Sequence, residues 1–165
     1  MPNRGGKLAN PISTEQLWQF SLALYPKVKH LCLQWQDELG ANVNLLLLLS
    51  YLEQQQLSLT GTQLQQLSAE LALFSTQFTQ PLRQLRKNVT NSGIAPELQQ
   101  PLKQSLLHAE LALERLEQHL LLQHCPALTA QATPLLESYF SLLAADSAKY
   151  AAQIVDLRQS YRKPA

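Results

Sequence analysis

The chain is poor in the residues that build sheets, phosphate loops and membrane spans. Val and Ile together number 7 in 165 residues, against 37 Leu and 21 Gln. β-Branched side chains favour strands, whereas unbranched Leu and Gln lose little rotamer freedom in a helix, so the balance excludes a sheet-rich fold. Only five glycines occur, two of them Gly5 and Gly6, which leaves no glycine-rich phosphate cradle. The two cysteines, Cys32 and Cys125, stand far apart and outside any Cys-x-x-Cys pair, and are read as reduced, buried thiols. Charge is scarce too, at 15% of residues against a usual share of about 25%. The 13 basic and 12 acidic residues are dispersed, which supplies neither a basic stripe for a nucleic-acid backbone nor a strongly acidic surface. The longest apolar run, Leu45 to Leu49, is far short of the roughly 20 residues a membrane span needs. Residues 1 to 10 carry Arg4 and Lys7 with no apolar stretch behind them, so no signal peptide is read and a cytoplasmic location is expected.

What the chain does have is helical periodicity. Residues 1–12, with Pro2, Gly5, Gly6 and Pro11, read as a flexible lead, and residues 13–163 as a single helical domain. Ser13 and Gln16 form a Ser-x-x-Gln capping box ahead of Leu17, Phe20, Ser21 and Leu24. Tyr25 precedes Pro26 and should end that helix, with Pro26 opening a second one through Val28, Leu31, Cys32, Trp35 and Leu39 to Gly40. Asn42 can cap a third helix that is apolar all round from Val43 to Leu52, which places it at the centre of a bundle. A stripe of Leu64, Leu67, Leu71, Phe74, Phe78, Leu82, Leu85 and Val89 then runs straight through Pro81. Either a kink near Phe78 or a junction of two helices accommodates it. A fifth helix presents Leu102, Leu106, Ala109, Leu113, Leu116 and Leu120, with Leu107, Leu111 and Leu121 widening the stripe. The last helix starts at Thr133-Pro134 and runs through Leu136, Phe140, Leu143, Ser147, Tyr150, Ile154, Leu157 and Tyr161. The expected fold is all-α, a single helical bundle of five to seven helices with a central Leu-rich helix.

Residues 17–53 carry Phe20-Ser21-Leu22, Leu24-Tyr25, Cys32-Leu33, Gln36-Asp37, Gly40 and Val43-Asn44-Leu45-Leu46-Leu47 in an order that resembles one bacterial family. Its members are uncharacterised, all-helical proteins classed as a domain of unknown function. Pro81-Leu82 with Arg83 to Lys87 resembles a second block. The resemblance implies the helical fold and brings no activity to these residues. It departs between Tyr25 and Val28, where a longer Pro/Gly turn belongs, which implies a tighter corner here.

The polar residues of that block are the candidate site. Gln36, Asp37, Asn42 and Asn44 gather at one helix corner beside an apolar segment. Asn44 lies one turn into the central helix, where a buried amide must be hydrogen-bonded. A polar network tying the helices together is the default, and a small ligand pocket is the alternative. His30, His108, His119 and His124 show no i, i+4 pair and no Glu-x-x-His, so no metal or other cofactor is expected. Glu110, Glu114 and Glu117, with Arg115, read as a solvated helix face. Arg83, Arg86 and Lys87 form the densest basic cluster, a candidate contact patch, although three charges give little affinity for nucleic acid at physiological salt. No catalytic constellation is found. The function expected is therefore a non-catalytic adaptor or accessory bundle acting on a protein partner or as a homodimer. The alternative is a bundle binding a small apolar or amphipathic ligand, with nucleic-acid binding last.

Overall fold

A computed structural model describes residues 12–162. Among these it contains seven α-helices: α1 (Thr14–Leu39), α2 (Val43–Gln54), α3 (Gly61–Phe74), α4 (Gln80–Val89), α5 (Pro96–His124), α6 (Leu135–Leu142) and α7 (Ser147–Tyr161). A π-helical turn, Ser75–Thr79, joins α3 to α4 end to end. The fold is the expected all-α bundle. Among the described residues the β-type pairing is one isolated antiparallel bridge between Ser58 and Thr129. Of the lead expected over residues 1–12, Ile12 is described and is buried against the core; the remainder lies outside the described residues, as does Lys163.

α2 is the centre of the bundle, with α1, α5 and α6 packed around it. Leu45 to Leu49 are all at most 5% exposed. Burying a leucine contributes roughly 1.5–3 kcal/mol, so this short helix is held by its surroundings more than by its own propensity. Its start is set by Asn42, whose Oδ1 accepts from Leu45 N at 3.1 Å. The end of α1 is set by Gly40 at φ 70°, which donates to Gln36 O at 3.1 Å. Only glycine adopts that left-handed conformation at little cost. The Ser13–Gln16 capping box forms, at 3.0 and 2.9 Å. Trp35, Phe140 and Tyr150 pack edge to face and fasten α1, α6 and α7 together.

Three expectations about boundaries are corrected. The helix expected to stop at Tyr25 runs on through Pro26 to Leu39, so there is no corner between Tyr25 and Val28. Pro26 and Leu22, whose carbonyl loses its donor, are both on the exposed side of α1, where water can bind that carbonyl. The opposite side keeps Leu17, Ser21, Leu24, Val28, Leu31 and Trp35 buried in one continuous line. The single last helix is two helices. Ala144, at φ 59°, breaks it, and Asp146 restarts it by accepting from Ala148 N at 3.0 Å.

The rod formed by α3 and α4 departs further from its pattern. The Gln80 amide donates to Ser75 O, five residues back, and Pro81 falls in the first turn of α4. One extra residue in that turn advances the turns that follow it by one position, a rotation of about 100°. Leu64, Leu67 and Leu71 before the turn are buried as expected. From the turn onward Phe78 and Leu85 point outward, 50% and 52% exposed, and Thr79, Arg83 and Arg86 take inward positions, while Leu82 stays half-buried and Val89, at the end of the stripe, is buried as expected.

Candidate functional site

The π-turn has a consequence across the interface. Arg83 and Arg86 meet α5, and the face that α5 offers them is its glutamates. Glu110 is 4% and Glu117 2% exposed, with Gln118 at 1%. Spaced i, i+4 and i+7, Glu110, Glu114 and Glu117 share one side of a helix. The solvated acidic face read from the sequence is thus the inner face of α5. Of the leucines expected in the core, Leu102 and Leu116 are on its outer side, 37% and 41% exposed, Leu106, Leu113 and Leu120 are half-buried, and Leu121 is buried as expected. α5 is inside out because the neighbours opposite it, on α1, α2 and α4, present amides and guanidinium groups.

The layer is continuous in contacts. Arg83 Nε donates to Glu110 Oε1 at 3.1 Å, and Arg86 Nε to Glu110 Oε2 at 2.5 Å. Arg83 also reaches Gln36 Oε1 at 3.4 Å and stands 3.7 Å from Glu114. Further along α5, Glu117 Oε1 accepts from Asn42 Nδ2 at 3.2 Å and Asn44 Nδ2 at 3.0 Å. Asn44 Nδ2 also lies 3.3 Å from Glu114 O, and its Oδ1 accepts from Gln118 Nε2 at 3.1 Å. Gln118 Nε2 reaches Ser21 Oγ at 2.8 Å, and Ser21 itself donates to Leu17 O. The Tyr139 hydroxyl of α6 accepts from Asn42 N at 2.9 Å. Buried polar groups are tolerable when joined in this way. The acceptors outnumber the donors, however: Glu117 Oε2 and Gln118 Oε1 are buried with no partner among the described residues.

Three carboxylates against two guanidinium groups leave the layer electrostatically uneven. Burial works against the charge on Glu110, but hydrogen bonds from Arg86 and Arg83 outweigh it and hold its pKa below the usual carboxylate value. Glu114 lacks such donors. Burial, then the neighbouring charge of Glu110, push its pKa up to about 7. Burial also raises the Tyr25 hydroxyl, on α1 beside them. Cys32 is a buried thiol pushed up to about 12 by desolvation, which removes it as a nucleophile at neutral pH.

Of the residues singled out from sequence, Gln36, Asn42 and Asn44 are brought into this layer, and Asp37 is exposed outside it. Arg83 and Arg86 are committed to Glu110 while Lys87 stays on the surface, so the three do not make one exposed basic patch. Sequence reasoning took Glu110 and Glu117 for solvated residues and missed Gln118 beside them. Their signal was the i, i+4, i+7 repeat of carboxylates on a chain otherwise sparing with charge.

A second ionic cluster sits at the other end of the bundle. Arg158 binds Glu53 through Nε at 2.7 Å and Nη2 at 3.0 Å, and Glu137 through Nη1 at 2.7 Å. Glu53 Oε2 also accepts from Leu136 N at 2.8 Å, fixing the start of α6. The cluster borders an open cleft of about 790 Å³ lined by Gln54, Thr133, Tyr161 and Arg162 among others. Among the described residues no group of three His, Cys, Asp or Glu could hold a metal ion, and no helix is long and apolar enough to cross a membrane.

A family model described as "Protein of unknown function (DUF2390)" matches residues 16–121, well over half of the chain, and the chain belongs to that family. The matched span contains every α1, α2, α4 and α5 residue of the polar layer. No curated protein and no solved structure matches.

Proposed function

We propose that this member of the family is a non-catalytic accessory protein, located in the cytoplasm, that works through protein contacts on the outer side of α5. The observation that carries this reading is the inversion of that helix. Leu98, Leu102 and Leu116 are 62%, 37% and 41% exposed on that side, with Leu106, Leu113 and Leu120 half-buried along its edge, while glutamates occupy the side facing the bundle. Exposed apolar groups are ordinary singly, but a run of them on one helix is the usual mark of a contact surface. Leu22, Leu73 and Leu85 are more than half exposed on other helices and add apolar surface to the same molecule.

The competing readings have less support. The Asn44 amide is committed at both ends, to Glu117, Glu114 and Gln118, which leaves it no free polar handle for a ligand. Arg83 and Arg86 are held by Glu110 and do not face a nucleic-acid backbone. The Glu110 carboxylate is engaged by two guanidinium groups, a structural arrangement rather than that of a general base.

Native mass spectrometry of the protein purified gently from its own host tests the reading, with a Leu102→Glu/Leu116→Glu variant alongside. A stoichiometric second polypeptide on the wild type that is absent from the variant supports a contact surface on α5. Bare monomer in both samples, or an identical complex in both, overturns it.

A further inference from the structure

The outer face of α5 carries a pattern of its own. Leu98, Leu102, Ser105, Leu106, Ala109, Ala112, Leu113, Leu116 and Leu120 fall within an arc of about 120° at 100° per residue. Leu98, Leu102, Ser105, Ala109, Ala112 and Leu116 are exposed, and Leu106, Leu113 and Leu120 are half-buried along one edge. None of the nine is charged, although α5 holds Lys103, Glu110, Glu114, Arg115 and Glu117 elsewhere on its circumference. Large side chains stand at the two ends of the face and small ones in its middle.

We propose that a second copy of this chain docks on this face, α5 against α5, antiparallel, with the two-fold axis beside Ala109. This rests on the contact-surface reading above and names its partner. An interface between identical chains must be self-complementary about its axis. Centred on Ala109, each position is level with the one equally far on the other side: Leu102 with Leu116 of the second copy, and Leu98 with its Leu120. Ala109 meets itself, and Ser105 shares an edge with Ala112, one residue or about 1.5 Å off level, so small residues face small ones where the helices approach most closely. Leu106 and Leu113 pair along the other edge. With no charge on the face, nothing repels an identical surface, whereas a partner recognised by ion pairs would find nothing to bind.

The dimensions agree. From Leu98 to Leu120 the face is about 33 Å long, and a helix with side chains is about 10–12 Å wide. Two such faces present about 700 Å² in projection and, once their side chains interdigitate, bury about 1,000 Å², the range of weak, reversible interfaces rather than the roughly 1,200–2,000 Å² of stable ones. A modest, reversible dimer is expected.

Sedimentation velocity and Ala109→Cys cross-linking on the purified protein test this. At an interaxial distance of 8–10 Å the two Ala109 Cα atoms are about 5 Å apart, within disulfide range. The expected result is a mass twice that of the monomer at tens of micromolar, a return to monomer in Leu102→Glu/Leu116→Glu, and a disulfide dimer from Ala109→Cys under mild oxidation. Gln104→Cys, on the same helix but off the face, is expected to give none. A monomer at all concentrations, or a dimer that ignores both leucine substitutions, overturns the proposal. If the purified chain is monomeric yet a different polypeptide rides on the wild-type face in native spectra, the second copy is wrong and the contact surface stands. If the native complexes also ignore the variant, both fall.

Discussion

Replacing Asn44 by leucine distinguishes a structural polar layer from an incidental one. Leucine is the residue the rest of α2 would welcome, since Leu45 to Leu49 are fully packed around it. The change removes the 3.0 Å hydrogen bond to Glu117 and the 3.1 Å bond from Gln118. It leaves Glu117, 2% exposed and with its second oxygen already unpartnered, dependent on Asn42 alone. A hydrogen bond to a charged group contributes about 1.5–3 kcal/mol and a neutral one about 1 kcal/mol. Burying a leucine in place of the amide returns about 1 kcal/mol. The net expectation is a loss of roughly 1.5–3 kcal/mol, read as a lower urea midpoint at unchanged slope. The double variant Asn44→Leu/Glu117→Met should lose less than the sum of the two single changes, because it removes the stranded carboxylate together with its partner. Stability equal to or above wild type in Asn44→Leu, or strict additivity in the double variant, would refute the reasoning.

The remaining expectations concern the same layer and its supports. Glu114, raised to about 7 from an ordinary 4.5, holds a proton in the folded state that the unfolded chain has already lost, so stability from this group falls as pH climbs between those values. With its side chain 32% exposed, screening limits the effect to about 1–2 kcal/mol, and Glu114→Gln should lose that decline in urea titrations from pH 5 to 8. A wild-type decline that persists in the variant would place the titration elsewhere. Deleting Gln77, an exposed residue of the π-turn, should rotate Arg83 and Arg86 away from Glu110 and cost more than about 3 kcal/mol, while Gln77→Ala shifts stability by under about 0.5 kcal/mol. Equal effects from the two would mean the turn does not set the register. The Cys32 and Cys125 thiols, raised by burial to about 12 and 11, should resist a disulfide reagent at pH 8 until urea unfolds the chain. Rapid reaction of both in the folded protein would contradict their placement.

Much of the fold was legible in the sequence because caps and periodicity are local. Ser13 with Gln16, Gly40 and Asn42 mark three helix ends, and the unbroken apolar run of α2 could only be a central helix. What was not legible depends on neighbours. Pro26 reads as a stop, yet the buried line from Leu17 to Trp35 carries the helix past it. Thr79, Arg83 and Arg86 sit one position after the apolar residues that a straight helix would have buried, and no sequence pattern announces a π-turn. The orientation of α5 was the largest miss. It carries two stripes of helical period, one of leucines and one of glutamates, and hydrophobicity alone favours burying the first. The choice is made by Arg83, Arg86, Asn42, Asn44 and Ser21 across the interface, which come from three other helices. Asn44 in an otherwise apolar helix was the one local hint that a polar partner had to face it.

That orientation can be measured without altering the protein. Carbodiimide coupling of an amine to surface carboxylates, mapped by mass spectrometry, reports how accessible each glutamate is. Glu97, on the exposed side of the same helix, serves as the internal standard for fast labelling. With the glutamate face turned inward, Glu110 and Glu117 should label far more slowly than Glu97 in the folded protein and catch up with it in urea. If Glu110 and Glu117 label as fast as Glu97 under native conditions, α5 faces the other way and the leucine surface is its core side.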